Sequence, residues 1–84
     1  MGKQKKIYMH IMLKMGDANV PFFGLCSLLQ HFGFSLRTSG DHHIFTKDGV
    51  DEILNLQPKG NKAKPYQVKQ IRNVFLRYGF KLEI

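Results

Sequence analysis

Two glycine-containing turn signals in the middle of the chain constrain its fold more than any other feature. The Ser-Gly-Asp turn at 39–41 separates residues 34–37, where apolar and polar side chains alternate, from the apolar run at 42–46. The Asp-Gly dipeptide at 48–49 is typical of a tight hairpin, and the apolar-rich segment 50–56 follows it. Alternation and short turns together predict three consecutive strands in an antiparallel meander.

Helical patterns flank this meander on both sides. Before it, the predicted helix has Asp17 or Asn19 as its cap, Pro21 in its first turn and Gly33 as its stop. After it, a helix begins near Pro65 and ends at Gly79. Both place apolar side chains at helical spacing: Phe22, Leu25, Leu28, Leu29 and Phe32 in the first, and Val68, Ile71, Phe75 and Tyr78 in the second. The sequence therefore predicts an α+β fold with the order α-β-β-β-α.

The chain extends beyond this pattern at both ends. Residues 1–16 contain Ile7, Ile11 and Met15 at a spacing of four, which predicts an additional amphipathic helix that Gly16 ends. Residues 80–84 alternate like a strand. We expect a single domain, 1–84, made of an N-terminal helical extension (1–16), a core (17–79) and a tail (80–84).

The excess of basic residues points to a polyanionic partner. Thirteen Lys and Arg against six Asp and Glu give a net charge of +7, and no acidic residue lies between Lys59 and Lys81. This distribution is typical of a nucleic-acid-binding surface. The candidate RNA and phosphate contacts, all expected to face solvent, are Lys59, Lys62, Lys64, Lys69 and Arg72. Lysines just before a helix N-terminus favour phosphate binding, because the free backbone N–H groups add to their charge.

Two adjacent histidines, His42 and His43, directly follow the first turn. Histidine exchanges protons near neutral pH, with an unperturbed pKa of about 6.5. Because strand side chains alternate between faces, at most one of the two is expected to be the catalytic group. Gly40 and Asp41 form the turn that positions it. A carboxylate at Asp41 favours the protonated imidazole, which suits a general acid better than a general base.

The single cysteine, Cys26, lies on the apolar side of a predicted helix and has no intrachain partner. This excludes a disulfide scaffold, fits a reducing cytoplasm and indicates buried packing. The apolar stretch near the N-terminus is short and lacks a cleavage site, so we expect neither a secretory signal nor membrane association. A basic loop before the last helix also matches the arrangement of double-stranded-RNA-binding folds.

Several sequence blocks resemble the HicA family of toxins, in order and at matching spacing across residues 19–78. They are NVPF at 19–22, LLQHFGF at 28–34, GDHHIF at 40–45, DG at 48–49, ILNLQPKG at 53–60 and KAKPYQV at 62–68. The resemblance implies a small RNA-cleaving toxin with a double-stranded-RNA-binding-like fold and a HicB antitoxin. It implies that His42 is the catalytic histidine and that His43 occupies a more permissive position. The family usually has Ser or another small neutral residue where Asp41 stands.

The resulting expectation is an mRNA interferase of a type II toxin–antitoxin system that cleaves mRNA without a metal or other cofactor. His42 supplies one half of acid–base catalysis, and the other half is open between His43, a lysine and water. The alternatives are a non-catalytic RNA-binding module of the same fold, and a metal site built from Asp41, His42, His43, Asp48 and Asp51. An acidic HicB-like antitoxin is expected to cover His42 and the lysine loop, residues 59–64, with the tail or the N-terminal helix as additional contacts.

Overall fold

The computed structural model describes residues 2–82 of the 84-residue chain and has the predicted α+β architecture. Three helices and one three-stranded sheet follow one another in the order helix, helix, three strands, helix. The elements are α1 (Lys3–Met12), a 3-10 turn (Asp17–Asn19), α2 (Phe22–His31), β1 (Ser35–Ser39), β2 (His42–Lys47), β3 (Val50–Leu56), β4 (Pro58–Lys59), β5 (Lys62–Ala63) and α3 (Pro65–Tyr78).

The predicted antiparallel meander is confirmed, with strand order β1-β2-β3. Phe45 is the central residue of its inner face, pairing with Leu36 on one side and Leu54 on the other. Phe45 and Leu54 are completely buried, whereas the side chains that alternate with them on β3, such as Asn55, are exposed. The helices therefore cover one face of the sheet, and the other face is open to solvent.

The core joins that inner face to all three helices. Its largest fully buried side chains are Phe22, Phe45, Phe75, Ile11, Leu25, Leu28, Leu29, Leu54, Leu56, Ile71, Val20 and Val68. Each aliphatic or aromatic side chain of this kind contributes about 1.5–3 kcal/mol when it leaves water. Helix α1 belongs to this core through Ile7 and Ile11, so the N-terminal extension is part of the packed domain.

Two helix boundaries differ from prediction. Helix α1 ends at Met12, not near Met15, because the chain turns back with φ of +54° at Lys14 and +121° at Gly16. Helix α2 begins at Phe22 without a side-chain cap. The backbone N–H of Phe22 instead donates to the carbonyl of Asn61, 3.0 Å away. A tertiary contact thus replaces the local cap predicted from Asp17 or Asn19.

The basic loop predicted at residues 59–64 instead forms most of a small hairpin. Strands β4 and β5 pair antiparallel, and a bridge between Pro21 and Lys62 attaches them to the start of α2. The described part of the tail, residues 80–82, forms no strand. Phe80 instead packs on the rings of Phe32 and Phe75, at centroid distances of 5.2 and 5.9 Å. The rest of the predicted tail strand lies outside the described residues.

Candidate active site

The turn between β1 and β2 places the two histidines on opposite faces of the sheet, as alternation predicted. Gly40 has φ of +60°, a conformation that glycine adopts without strain, and β2 begins two residues later. His43 pairs with Leu56, which is completely buried, so its ring lies on the helix-covered face. His42 lies on the open face and is exposed.

A hydrogen bond to Asn55 orients the exposed imidazole of His42. Nδ1 of His42 lies 3.0 Å from Oδ1 of Asn55, on the neighbouring strand β3. A carbonyl oxygen only accepts hydrogen bonds, so Nδ1 of the neutral imidazole carries the hydrogen and donates in this contact. Nε2 then carries the lone pair, and the ring has one nitrogen held by the protein and one available to exchange a proton with a ligand.

His43 has a different environment. Its ring stands edge-to-face on Phe22, with centroids 4.9 Å apart, and lies 6.2 Å from the ring of Phe23. Nδ1 of His43 lies 3.2 Å from the backbone carbonyl of Asp41. A half-buried imidazole against two aromatic rings is suited to packing and stacking.

A chain of polar contacts connects the histidine turn to the lysine loop. Nε2 of Gln57 donates to the carboxylate of Asp41 at 3.1 Å, and Oε1 of Gln57 accepts from Nζ of Lys64 at 3.2 Å. The hydrogen bond from Gln57 is the main reason that the pKa of Asp41 lies below its ordinary value. Asp41 is therefore ionised at neutral pH, and its carboxylate lies next to the amide of Gln57, which Lys64 contacts in turn.

The buried amide of Gln67 supports both residues that contact the turn. Gln67 is only 4% exposed; its Oε1 accepts from the backbone N–H of Gln57 at 3.3 Å, and its Nε2 donates to the carbonyl of Asn55 at 3.2 Å. It lies in the first turn of α3 and so fixes that helix to the end of β3. Sequence reasoning missed Asn55, Gln57 and Gln67, because polar amides carry no periodic signal and their partners are distant in sequence.

Four of the five predicted phosphate contacts lie at or near solvent. Lys59 and Lys62 belong to the β4–β5 hairpin, Lys64 directly precedes α3, and Lys69 is exposed one turn further along that helix. Of these lysines, Lys64 is linked to the Asp41 turn through Gln57.

Arg72, the fifth predicted contact, does not face solvent, and that prediction is wrong. Its side chain is 7% exposed and makes two hydrogen bonds to the carboxylate of Asp17, at 2.9 and 3.0 Å. The guanidinium also donates to the carbonyl of Ile11 at 3.1 Å. Through these three hydrogen bonds Arg72 holds α1 and the 3-10 turn against α3, and its guanidinium is directed into the protein instead of toward solvent.

Two other kinds of chemistry are a cysteine nucleophile and a bound metal ion. Burial raises the pKa of the Cys26 thiol to about 11, so the thiolate needed for nucleophilic catalysis does not form at neutral pH. Within residues 2–82, no three side chains of His, Cys, Asp or Glu form a group able to hold a metal ion.

A comparison with protein families identifies the family of this chain. A family model described as "HicA toxin of bacterial toxin-antitoxin" matches residues 25–82. The chain belongs to the HicA toxin family. The matched segment of this HicA toxin contains the histidine turn, all three strands of the meander, the lysine-bearing hairpin and α3. Comparisons with curated proteins and with solved structures each found no match.

The family resemblance predicted from sequence is thus confirmed, and with it the role of a toxin in a toxin–antitoxin system. Family membership also implies an antitoxin partner. Among the described residues of this HicA toxin, no helix has the length and apolar character needed to cross a bilayer.

Proposed function

We propose that this HicA toxin is a metal-independent endoribonuclease that cleaves mRNA, with His42 as its general acid or base. The observation that carries the proposal is the geometry of His42: an exposed imidazole whose Nδ1 is held by Asn55 while Nε2 remains available to a substrate. General acid–base catalysis needs this combination of a fixed ring and one available nitrogen.

The reaction best suited to such a site is attack by a ribose 2′-OH on the adjacent phosphodiester. A P–O2′ bond forms, the P–O5′ bond breaks, and the products are a 2′,3′-cyclic phosphate and a 5′-OH. Nε2 of His42 takes the 2′-OH proton when it is neutral, or gives a proton to the leaving 5′ oxygen when it is protonated. The second proton transfer falls to a lysine or water, because the ring of His43 packs on Phe22 on the opposite face of the sheet.

The cations near the turn supply binding and charge stabilisation. Lys59, Lys62, Lys64 and Lys69 would hold phosphates and offset the negative charge that develops on the phosphorane. The carboxylate of Asp41 works against this stabilisation, because its negative charge repels the phosphate. Its hydrogen bond from Gln57, which in turn accepts from Lys64, partly compensates that negative charge. Gly40 and Asp41 would act as the turn that presents His42.

The partner we propose is an acidic, HicB-like antitoxin in the cytoplasm. A protein of net charge +7 attracts an acidic surface, and an antitoxin that covers His42 and the lysine-bearing hairpin would block RNA entry. The N-terminal helix is a candidate for additional antitoxin contacts, as is the tail, residues 80–84.

The test is incubation of the purified toxin with end-labelled mRNA, with and without EDTA, beside His42→Ala and His31→Ala. General acid–base groups contribute about 100- to 10,000-fold, so His42→Ala should lose at least about 100-fold in cleavage rate. His31 is an exposed histidine at the end of α2 and serves as the matched control, for which no loss is expected.

Wild-type activity that persists in EDTA, together with an inactive but folded His42→Ala variant, would support the proposal. Cleavage by His42→Ala at the wild-type rate would refute the role of this histidine. RNA that is bound by both proteins and cut by neither would instead identify a non-catalytic RNA-binding module.

A further inference from the structure

Phe23 is a large apolar side chain that remains 69% exposed beside the histidine turn. Its neighbours Phe22 and Leu25 are completely buried, so helix packing does not require an aromatic ring at this position. We propose that Phe23 forms a stacking platform for one unpaired base of single-stranded RNA, bordered by the ring of His43, which lies 6.2 Å away and nearly perpendicular to it. This inference rests on the proposed function and specifies how the substrate is held.

The platform is built on a rigid base. Phe22 lies beneath it, with its ring centroid 4.9 Å from that of His43 and 5.4 Å from that of Phe23, in both cases edge-to-face. The ring of His43 is also tied to the turn through the carbonyl of Asp41. Rings held in this way lose little conformational freedom when a base stacks on them, which makes stacking more favourable.

The hairpin beside the platform carries positive charge. The β4–β5 hairpin is attached to the start of α2 by the Phe22 to Asn61 hydrogen bond and by the bridge between Pro21 and Lys62. Lys59 and Lys62 therefore lie on the element that adjoins the platform. Aromatic rings beside a basic track are the combination by which proteins bind single strands, because every base has a stackable face and every linkage has a charge.

The position of the platform also suits the proposed cleavage. His42 and His43 are consecutive residues whose side chains lie on the two faces of the same strand end. A strand of RNA that crosses this end of the sheet would place one base on the His43 side while the neighbouring phosphodiester reaches Nε2 of His42. The site would thus select unpaired RNA, since a base within a duplex is already stacked on its neighbours.

Tryptophan fluorescence tests the inference directly, because the chain contains no tryptophan. The Phe23→Trp substitution is made in the His42→Ala background, so that the RNA stays intact, and a short single-stranded RNA is titrated in. Leu76→Trp is the matched control, since Leu76 is 65% exposed on α3. Stacking should quench the emission of the Phe23→Trp protein, whereas emission from the control should not change.

Affinity provides the second readout, measured by anisotropy of a labelled RNA. Removing one stacked base contact by Phe23→Ala should weaken single-strand binding by about 5- to 150-fold, with an unchanged salt dependence. Leu76→Ala should bind as the parent does. A duplex of the same sequence should show no difference between the parent and Phe23→Ala.

Each contrary result has a distinct meaning. RNA that binds with an anisotropy change but neither quenches the Phe23→Trp protein nor distinguishes Phe23→Ala would overturn the platform and leave the nuclease proposal intact. A Phe23→Ala variant that keeps its RNA affinity but binds its antitoxin less well would assign the ring to the protein interface, which also overturns the inference. Absence of any RNA binding would refute the platform, and absence of cleavage by the wild type would refute the nuclease.

Discussion

Arg72 was predicted to contact RNA, but it forms an ion pair with Asp17. Breaking this pair tests whether Arg72 stabilises the fold instead. We choose Asp17→Asn as the perturbation, because the amide has nearly the same shape but carries no charge and keeps only one of the two oxygens that accept from Arg72. The matched control is Glu52→Gln, in the pair that Glu52 of β3 forms with Arg77 of α3 at 3.2 Å; the other oxygen of this carboxylate accepts from the hydroxyl of Tyr78 at 2.7 Å. The two carboxylate side chains are equally exposed, at 26%, whereas their arginines differ: 7% for Arg72 and 63% for Arg77.

The expected difference follows from that burial. Removing one partner of a buried pair leaves an uncompensated charge and costs about 3–5 kcal/mol, and the partial exposure of Asp17 places this variant near the lower limit. A loss of about 3 kcal/mol lowers the Tm of a domain this size by roughly 12–24 °C. The exposed pair of Arg77 and Glu52 should contribute less than about 1 kcal/mol to the free energy of unfolding.

The assay is thermal and urea denaturation followed by circular dichroism, at neutral and acidic pH. Arg72 lowers the pKa of Asp17 through its hydrogen bonds, so the contribution of the pair is present above about pH 4, the ordinary carboxyl value. It is lost as the pH falls through the lower folded-state pKa. The stability gap between wild type and Asp17→Asn should therefore close in acid.

Equal losses in Asp17→Asn and Glu52→Gln would refute this reasoning, because Arg72 would then behave as a surface cation. RNA affinity gives a second criterion. If Arg72 is structural, the folded Asp17→Asn protein should bind RNA with the wild-type salt dependence. A salt slope that increases by about one would mean that the released guanidinium reaches a phosphate.

Two further predictions concern the orientation of His42 and the tail. Asn55→Asp should move the cleavage pH profile to higher pH, because a carboxylate next to Nδ1 favours the imidazolium and lowers the fraction of neutral base; a profile identical to that of the wild type would exclude Asn55 from positioning His42. Phe80→Ala should cost about 2 kcal/mol in denaturant unfolding, below the range for a fully buried ring. A neutral result there would show that the contacts of Phe80 with Phe32, Phe34 and Phe75 do not stabilise the domain.

Local patterns determined most of the secondary structure. Alternation and the two glycine turns predicted the meander, and helical spacing predicted the apolar face that α2 and α3 bury. Gly79, with φ of +69°, ends α3 as predicted. These features follow from the sequence because strand and helix periods, and the need for glycine at positive φ, depend only on neighbouring residues.

Contacts between distant residues were decided by the tertiary structure alone. The spacing of α3 left Arg72 on what looked like a solvent-facing side, but the return of the chain after α1 brings Asp17 to it, 55 residues away in sequence. The same holds for Gln67, whose amide contacts the backbone at the end of β3, and for Asn55, which orients His42. A histidine after a turn is visible in the sequence, whereas the group that holds its ring depends on which strand pairs beside it and in which register.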